Sequence, residues 1–315
     1  MIWLCMKLSH LLKIMSLLKL FLILFFVSYC CFHFFIIFLK KKHVFQYIYQ
    51  LAPQSHQQKK FTPSFGGIVI VMLLISSLFI FDIKSPERIW VVGVTTLFSL
   101  LGFLDDYLSK KSKKNKGLSS IEKFVFQCIF ASISVLTFNI FCTQISLKLS
   151  LFFIFLFIAT TNACNLTDGL DGLLCGSTII SLIGFCYVFK TLFNIPLLVV
   201  SISFICILCA FLSKNSYPAR IMMGDTGSLA IGAFLTALAC SIQKPFLLIA
   251  FGGLFIIETL SVMIQVTYFK WKKKRVFLMT PLHHHFECMG LKEPYVVMLC
   301  WLIHLGLCSI YFIIN

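Results

Sequence analysis

Asn162, Asn165, Asp168 and Asp171 fall in one short stretch with Thr160, Thr161, Thr167, Gly169 and Gly172, directly after the apolar run Leu151 to Ala159. Asn162/Asn165 and Asp168/Asp171 are each spaced i,i+3, which on helical or turn backbone puts both members of a pair on one side. The glycines let the chain turn sharply and bring backbone close to a ligand. A plain reverse turn between two membrane helices needs no paired carboxylates beside paired amides, because polar groups at the edge of hydrocarbon are costly unless they are used or paired.

Three more stretches carry chemistry. Asp105 and Asp106 end an apolar run and precede Lys110, Lys111, Lys113, Lys114 and Lys116; adjacent carboxylates repel unless a cation or metal compensates. Asp225 lies in Met223-Gly224-Asp225-Thr226-Gly227-Ser228 before a helix expected to begin near Leu229. There it reads either as part of a cap with Ser228 or as an oxygen-ligand and phosphate site. His283, His284 and His285 stand between Pro281 and Glu287. Neighbouring side chains point different ways, so the three rings cannot all reach one zinc ion; hydrogen bonding to phosphate or sugar is the better use. Glu258 and Gln265 are seven residues apart in an apolar segment, share a face and are expected to point toward the site.

The elements that position these residues follow from composition. The 315 residues are 59% hydrophobic and 12% charged, which excludes a soluble globule and defines an all-α polytopic membrane protein. Spanning segments are expected at about 20–39, 66–82, 88–104, 121–141, 146–163, 172–189, 195–213, 228–242, 245–269 and 295–314, about ten transmembrane helices in all. Residues 1–19, with Lys7, Lys13 and Lys19, read as a basic amphipathic segment, and 20–315 as a single membrane domain. The 14 cysteines are scattered through apolar runs and read as small hydrophobes; Cys206-x-x-Cys209 lies mid-helix and reads as packing. Lone His33 and His304 fall in spanning helices and read as packed or interfacial.

With both ends outside, five loops hold 19 of the 27 basic residues and so face the cytoplasm, which makes the expected active site a cytoplasmic-face one. Five of the six Asp fall in the same loops, and Asp82 outside them. Acidic residues do not set topology, so this clustering has another cause. Carboxylates among excess lysines suit a site that binds Mg²⁺ with a polyanion, since hard cations take oxygen ligands and share phosphate oxygens.

Thr62 through Gly67, Asp105-Asp106-Tyr107, Asn162 through Gly172, Met223 through Ser228 and Pro281 through Glu287 occur in the order seen in phospho-N-acetylmuramoyl-pentapeptide-transferases. The chain resembles that family, part of the polyprenyl-phosphate N-acetylhexosamine-1-phosphate transferase superfamily, over about residues 20–315. The His triplet is the most specific part, because it separates this branch from relatives that move N-acetylglucosamine phosphate. The resemblance implies a dimeric enzyme of the plasma (inner) membrane that moves phospho-MurNAc-pentapeptide from UDP-MurNAc-pentapeptide to undecaprenyl phosphate, with Mg²⁺, giving lipid I and UMP. Partners are those substrates, the bilayer and a second copy, and no nucleic acid. By motif, Asp225 resembles the Mg²⁺ ligand, and Asp105, Asp106 and His283 resemble catalytic residues. Asn162, Asn165, Asp168, Gly169, Leu170 and Asp171 resemble substrate residues, with the last three near the uracil. Lys59, Lys113, Lys123, Asn215, Gln265, His284 and His285 resemble groups around nucleotide and phosphates.

Three positions depart from the family pattern. Ser109 stands where the family has Lys, and the displaced Lys110 is expected to reach the phosphates instead. Met222 replaces an aromatic and Phe61 a glycine. Three alternatives remain: a related UDP-N-acetylhexosamine transferase, a transporter, which would favour repeated halves and a midplane site, and a catalytically dead membrane scaffold, which would keep the helices without needing five separate polar motifs.

Overall fold

The computed structural model describes residues 2–44, 62–81, 83–112 and 117–314, with backbone alone for 2–16 and 112. Lys59, Phe61, Asp82 and Lys113 lie outside these residues. Twelve helices and no strand are found among the described residues: α1 Ile2–Lys41, α2 Gly66–Ile80, α3 Pro86–Ser112, α4 Ser120–Phe141, α5 Leu147–Thr167, α6 Leu173–Thr191, α7 Ile195–Asn215, α8 Asp225–Ser241, α9 Leu247–Phe251, α10 Gly253–Lys272, α11 Leu282–Cys288 and α12 Glu293–Ile314. Eight of them are long and apolar enough to cross a membrane, and α2 and α8 are shorter apolar helices. The expected multi-pass architecture is therefore present. Every cysteine whose side chain is described is a free thiol, Cys206 and Cys209 included.

α8 is the axis of the bundle. Its sequence Leu229-Ala230-Ile231-Gly232-Ala233 is rich in small residues, which let neighbouring backbones come close where water supplies no driving force between helices. α2, α3 and α5 pack on it, and it is buried on every side from Thr226 to Cys240. Large rings fill the spaces left: Phe204 of α7 meets Phe234 of α8 with ring centroids 4.2 Å apart. On the outside, Phe26, Phe34, Met72 and Leu302 are exposed, the pattern of surfaces that face lipid.

Three boundaries differ from the sequence expectation. α1 runs unbroken from Ile2, so no break in the backbone separates residues 1–19 from the first span. The segment expected as one span at 245–269 is split at Gly252 into α9 and α10. The break exposes the Leu254 N–H, which donates to Nδ1 of His304 at 3.4 Å, while Nε2 of that ring lies 2.9 Å from the Ser181 hydroxyl. His304 is fully buried and re-satisfies backbone that a broken helix leaves open. Third, α8 begins at Asp225, earlier than expected, because its first turn is capped from another helix.

At the end of the bundle away from the polar motifs, Arg88 is buried and donates to the carbonyls of Ser77, Phe81 and Ile83 at 2.7, 2.7 and 2.9 Å. Hydrogen bonds to a charged donor contribute about 1.5–3 kcal/mol each, so one side chain ties the end of α2 to the start of α3.

Candidate active site

The C-terminal ends of α3 and α5 and the N-terminal ends of α4 and α8 meet at one end of the bundle. Ser119 caps α4 through a reciprocal pair: its hydroxyl accepts from the Glu122 N–H at 3.3 Å, and its own N–H donates to Glu122 at 2.7 Å. That cap sets Lys123 in the first turn, aimed into the junction. Its ammonium lies 3.1 Å from Asp105 Oδ2 and also pairs with Asp225 Oδ2. The other Asp225 oxygen accepts from the Asn165 side-chain amide at 2.7 Å, and that amide also donates to the Ser228 hydroxyl at 2.9 Å. Asp105, Lys123, Asn165 and Asp225, far apart in the sequence, thus meet in space.

The two adjacent aspartates have different surroundings. Asp105 Oδ1 accepts from the Leu118 N–H at 2.6 Å, tying the α3–α4 connection down. Asp106 spends both oxygens on α8: Oδ1 accepts from the Asp225 N–H at 3.0 Å, and Oδ2 from the N–H and hydroxyl of Thr226 at 2.9 and 2.6 Å. Those N–H groups are the orphan donors of a helix start, and a carboxylate there also favours the helix dipole. Gly224, at φ 76°, makes the turn into α8 and lies against Asp106, where a side chain would have no room.

The donors here are oxygens, which suits a hard divalent cation. Asp105 and Asp225 share Lys123, and Asp106 lies against the same turn of α8, so three carboxylates stand close to a single lysine and the junction has room for more positive charge. Among the described residues no three His, Cys, Asp or Glu side chains converge on one ion position. A cation held by one or two carboxylates, with water and phosphate oxygens completing its shell, fits such a set.

Asn162 turns away from this cluster and donates to Gln127 at 2.9 Å. Gln127 in turn donates to the Thr161 hydroxyl at 3.3 Å. Beyond α5 the chain bends through 168–172, held from three sides. Asp171 accepts from the Ala219 N–H at 2.8 Å, and its own N–H donates to Glu293 at 2.7 Å. Asn215 accepts from the Gly172 N–H at 3.1 Å and donates to the Ile221 carbonyl at 2.9 Å. Asp171 and Asn215 are therefore engaged in shaping the loop. Glu293 was missed in the sequence because an acid at a helix start is ordinary.

The three His rings go to three places. His283 is completely buried, 3.3 Å from Glu258 through Nδ1, with Gly169 against its other side so closely that a methyl at Gly169 would strike the ring. As placed, it packs against the 168–172 loop. His284 Nδ1 lies 2.8 Å from Glu287, and His285 accepts from the Leu278 N–H at 3.2 Å. Glu258 points inward as expected. Gln265 instead pins the loop after α10, accepting from the N–H groups of Val276 and Phe277 at 2.9 and 3.0 Å and donating to the Phe277 carbonyl at 3.0 Å.

The Thr62 to Gly67 segment joins the site through backbone: Gly66 and Gly67 donate to Met222 and Met223, and Met222 donates to Pro63. Lys110 lies over the Phe65 ring, 5.9 Å from its centroid, in this same region.

The chain is a helical membrane bundle that gathers carboxylates, a lysine and an amide at one end, and its residues 89–243 match the family described as glycosyl transferase family 4. The chain is 41% identical to the phospho-N-acetylmuramoyl-pentapeptide-transferase of Vesicomyosocius okutanii, over 86% of each chain. It is 37% identical to that of Bacillus subtilis, over 84% of this chain and 87% of the relative, and 35% identical to that of Buchnera aphidicola, over 89% and 88%. The chain belongs to the phospho-N-acetylmuramoyl-pentapeptide-transferase family.

Proposed function

We propose that this protein transfers phospho-MurNAc-pentapeptide from UDP-MurNAc-pentapeptide to undecaprenyl phosphate, giving lipid I and UMP, on the cytoplasmic face of the plasma membrane. The observation that carries the reading is the junction of Asp105, Lys123, Asn165 and Asp225, four side chains from four helices on one spot. The concentration of basic residues in the loops at this end supports its cytoplasmic orientation.

In the transfer an oxygen of the acceptor phosphate attacks the sugar-linked phosphorus of the donor. The bond from that phosphorus to the bridging oxygen breaks, and UMP leaves with its electron pair. A phosphate monoester has a second pKa near 6, so at neutral pH the acceptor is mostly a dianion. Alignment and charge neutralisation, the general requirements of phosphoryl transfer, then dominate over proton removal.

Asp225, whose side chain is more exposed than that of Asp105, is the proposed Mg²⁺ ligand, with Asp105 beside it; Mg²⁺ there would neutralise charge on the diphosphate. Lys123 adds a second positive charge and Asn165 fixes Asp225. Asp106 holds the α8 turn that presents Asp225. The Asp168-Gly169-Leu170-Asp171 loop, kept in shape by Asn215 and His283, is the proposed nucleotide side. Lys59, Lys113, Gln265, His284 and His285 complete the proposed surroundings of the donor, with Asn162 bracing α5.

An apolar cavity of about 360 Å³ runs between α5 and α10, past Phe155, Ala159, Ile256 and Leu260, and reaches Ala163. Its end at Ala163, two residues before Asn165 in α5, supports a prenyl acceptor whose phosphate meets the polar junction. A homodimer belongs to the same proposal; the exposed apolar face of α12, with Leu302 and Leu305, has the character such a contact or lipid needs. The test is UMP release by purified protein in detergent with UDP-MurNAc-pentapeptide, undecaprenyl phosphate and Mg²⁺. Release that requires the acceptor and matches lipid product supports the reading, and release without acceptor, or none, contradicts it.

A further inference from the structure

A second concavity adjoins the site on the far side of the His motif. It has a volume of about 410 Å³ and is lined by Tyr217, Met279, His284, Glu287, Lys292 and Glu293. Two links, one covalent and one a hydrogen bond, tie it to the 168–172 loop. His284 follows His283, which lies under Gly169, and Glu293 accepts the Asp171 N–H at 2.7 Å. A wall of this cavity is therefore built from the same residues that set the 168–172 loop.

Its chemistry differs from that of the α5–α10 cavity. A prenyl chain would bury Lys292 and the carboxylates of Glu287 and Glu293 against hydrocarbon, which is costly for charged groups left without partners. A diphosphate would meet two carboxylates. Mixed charge beside Tyr217 and Met279 suits a peptide, which brings a terminal carboxylate, amide N–H groups and apolar side chains together. The volume falls in the range of about 300–1,000 Å³ usual for small-ligand pockets.

We infer that this cavity holds the peptide arm of the donor, with Lys292 taking a carboxylate and the His284–Glu287 pair, 2.8 Å apart, accepting from N–H groups. The inference rests on the functional reading above, and it makes Lys292, Glu287 and Tyr217 determinants of donor choice.

The experiment compares UDP-MurNAc-pentapeptide with UDP-MurNAc lacking the peptide. Lys292→Glu should raise KM for the pentapeptide donor about tenfold or more with kcat within twofold, and leave kcat/KM for the peptide-free donor unchanged. Equal effects on both donors, or none on either, would overturn the inference. The unaltered protein supplies a second readout through Cys288, an exposed residue that also lines the cavity. Pentapeptide donor should slow iodoacetamide labelling of Cys288, followed by mass spectrometry, at least tenfold. Peptide-free donor, at a concentration that saturates its own turnover, should not. Equal labelling with both donors by a protein that releases UMP normally would remove the peptide from this cavity while leaving the activity in place. A protein that releases no UMP from either donor would remove both.

Discussion

Lys123 and Asp225 are 102 residues apart in the chain, yet the lysine ammonium donates to the Asp225 carboxylate and, at 3.1 Å, to Asp105 as well. One cation therefore spans the end of α3 and the start of α8, and the capping box at Ser119 keeps it there. In the proposed reaction this ammonium offsets carboxylate repulsion before substrate arrives and phosphate charge afterwards.

Lys123→Met should accordingly lower kcat about 10²-fold, the usual scale for removing one preorganised electrostatic group. It also leaves the carboxylates less neutralised, so the Mg²⁺ concentration for half-maximal rate should fall. A titration of UMP release against Mg²⁺ reads both; an unchanged rate and unchanged midpoint would remove Lys123 from the centre.

Asp106 is expected to act through α8. Asp106→Ala removes three acceptor contacts at a helix start, where losing one cap costs about 0.5–2 kcal/mol. The variant should melt several degrees lower in detergent and lose most activity, while Thr226→Val, which removes one of those contacts, should show a smaller drop in both. Equal melting temperatures for all three proteins would contradict the capping role.

Gly169 and His283 should be energetically coupled. Gly169→Ala drives a methyl into the ring and should destabilise; His283→Ala leaves a hole. The double variant should recover part of the loss, a coupling on the order of 1 kcal/mol, measurable as melting temperatures around the cycle. Strict additivity would place the two residues out of contact.

Cysteines introduced at Lys273 and Lys148 test orientation, since both positions are exposed and fall at opposite ends of the bundle by the loop-charge pattern. A membrane-impermeant maleimide applied to intact cells should label the residue at 148 and spare that at 273. The reverse pattern would turn the protein over in the membrane.

Long apolar runs made the helices legible in the sequence, because a bilayer fixes their length and leaves few alternatives. The break at Gly252 was not legible, since its open N–H is answered by His304, fifty positions away. The early start of α8 was hidden for the same reason: its cap, Asp106, comes from another helix. In the site, residue types marked Asp105, Asp225 and Asn165 correctly as members of one cluster in space. They did not separate residues that face the junction from those that brace it. In the fold Asn215 and Gln265 hydrogen-bond neighbouring loops, and His283 lies between Gly169 and Glu258. Lys110 lies over Phe65, and Lys123 is the lysine between the carboxylates. Gln127 and Glu293 gave no signal, because each is an ordinary residue in an ordinary helix until its partner is known.

The most direct test of the central claim is the Mg²⁺ dependence of UMP release by Asp225→Asn. The substitution keeps size and a hydrogen-bonding oxygen for Asn165 but removes the charge that Lys123 and the cation share. The account predicts a loss of several kcal/mol in transition-state stabilisation, roughly 10³-fold or more in kcat, with a raised Mg²⁺ requirement and little change in KM for the donor. Near-normal turnover with an unchanged Mg²⁺ midpoint would contradict it.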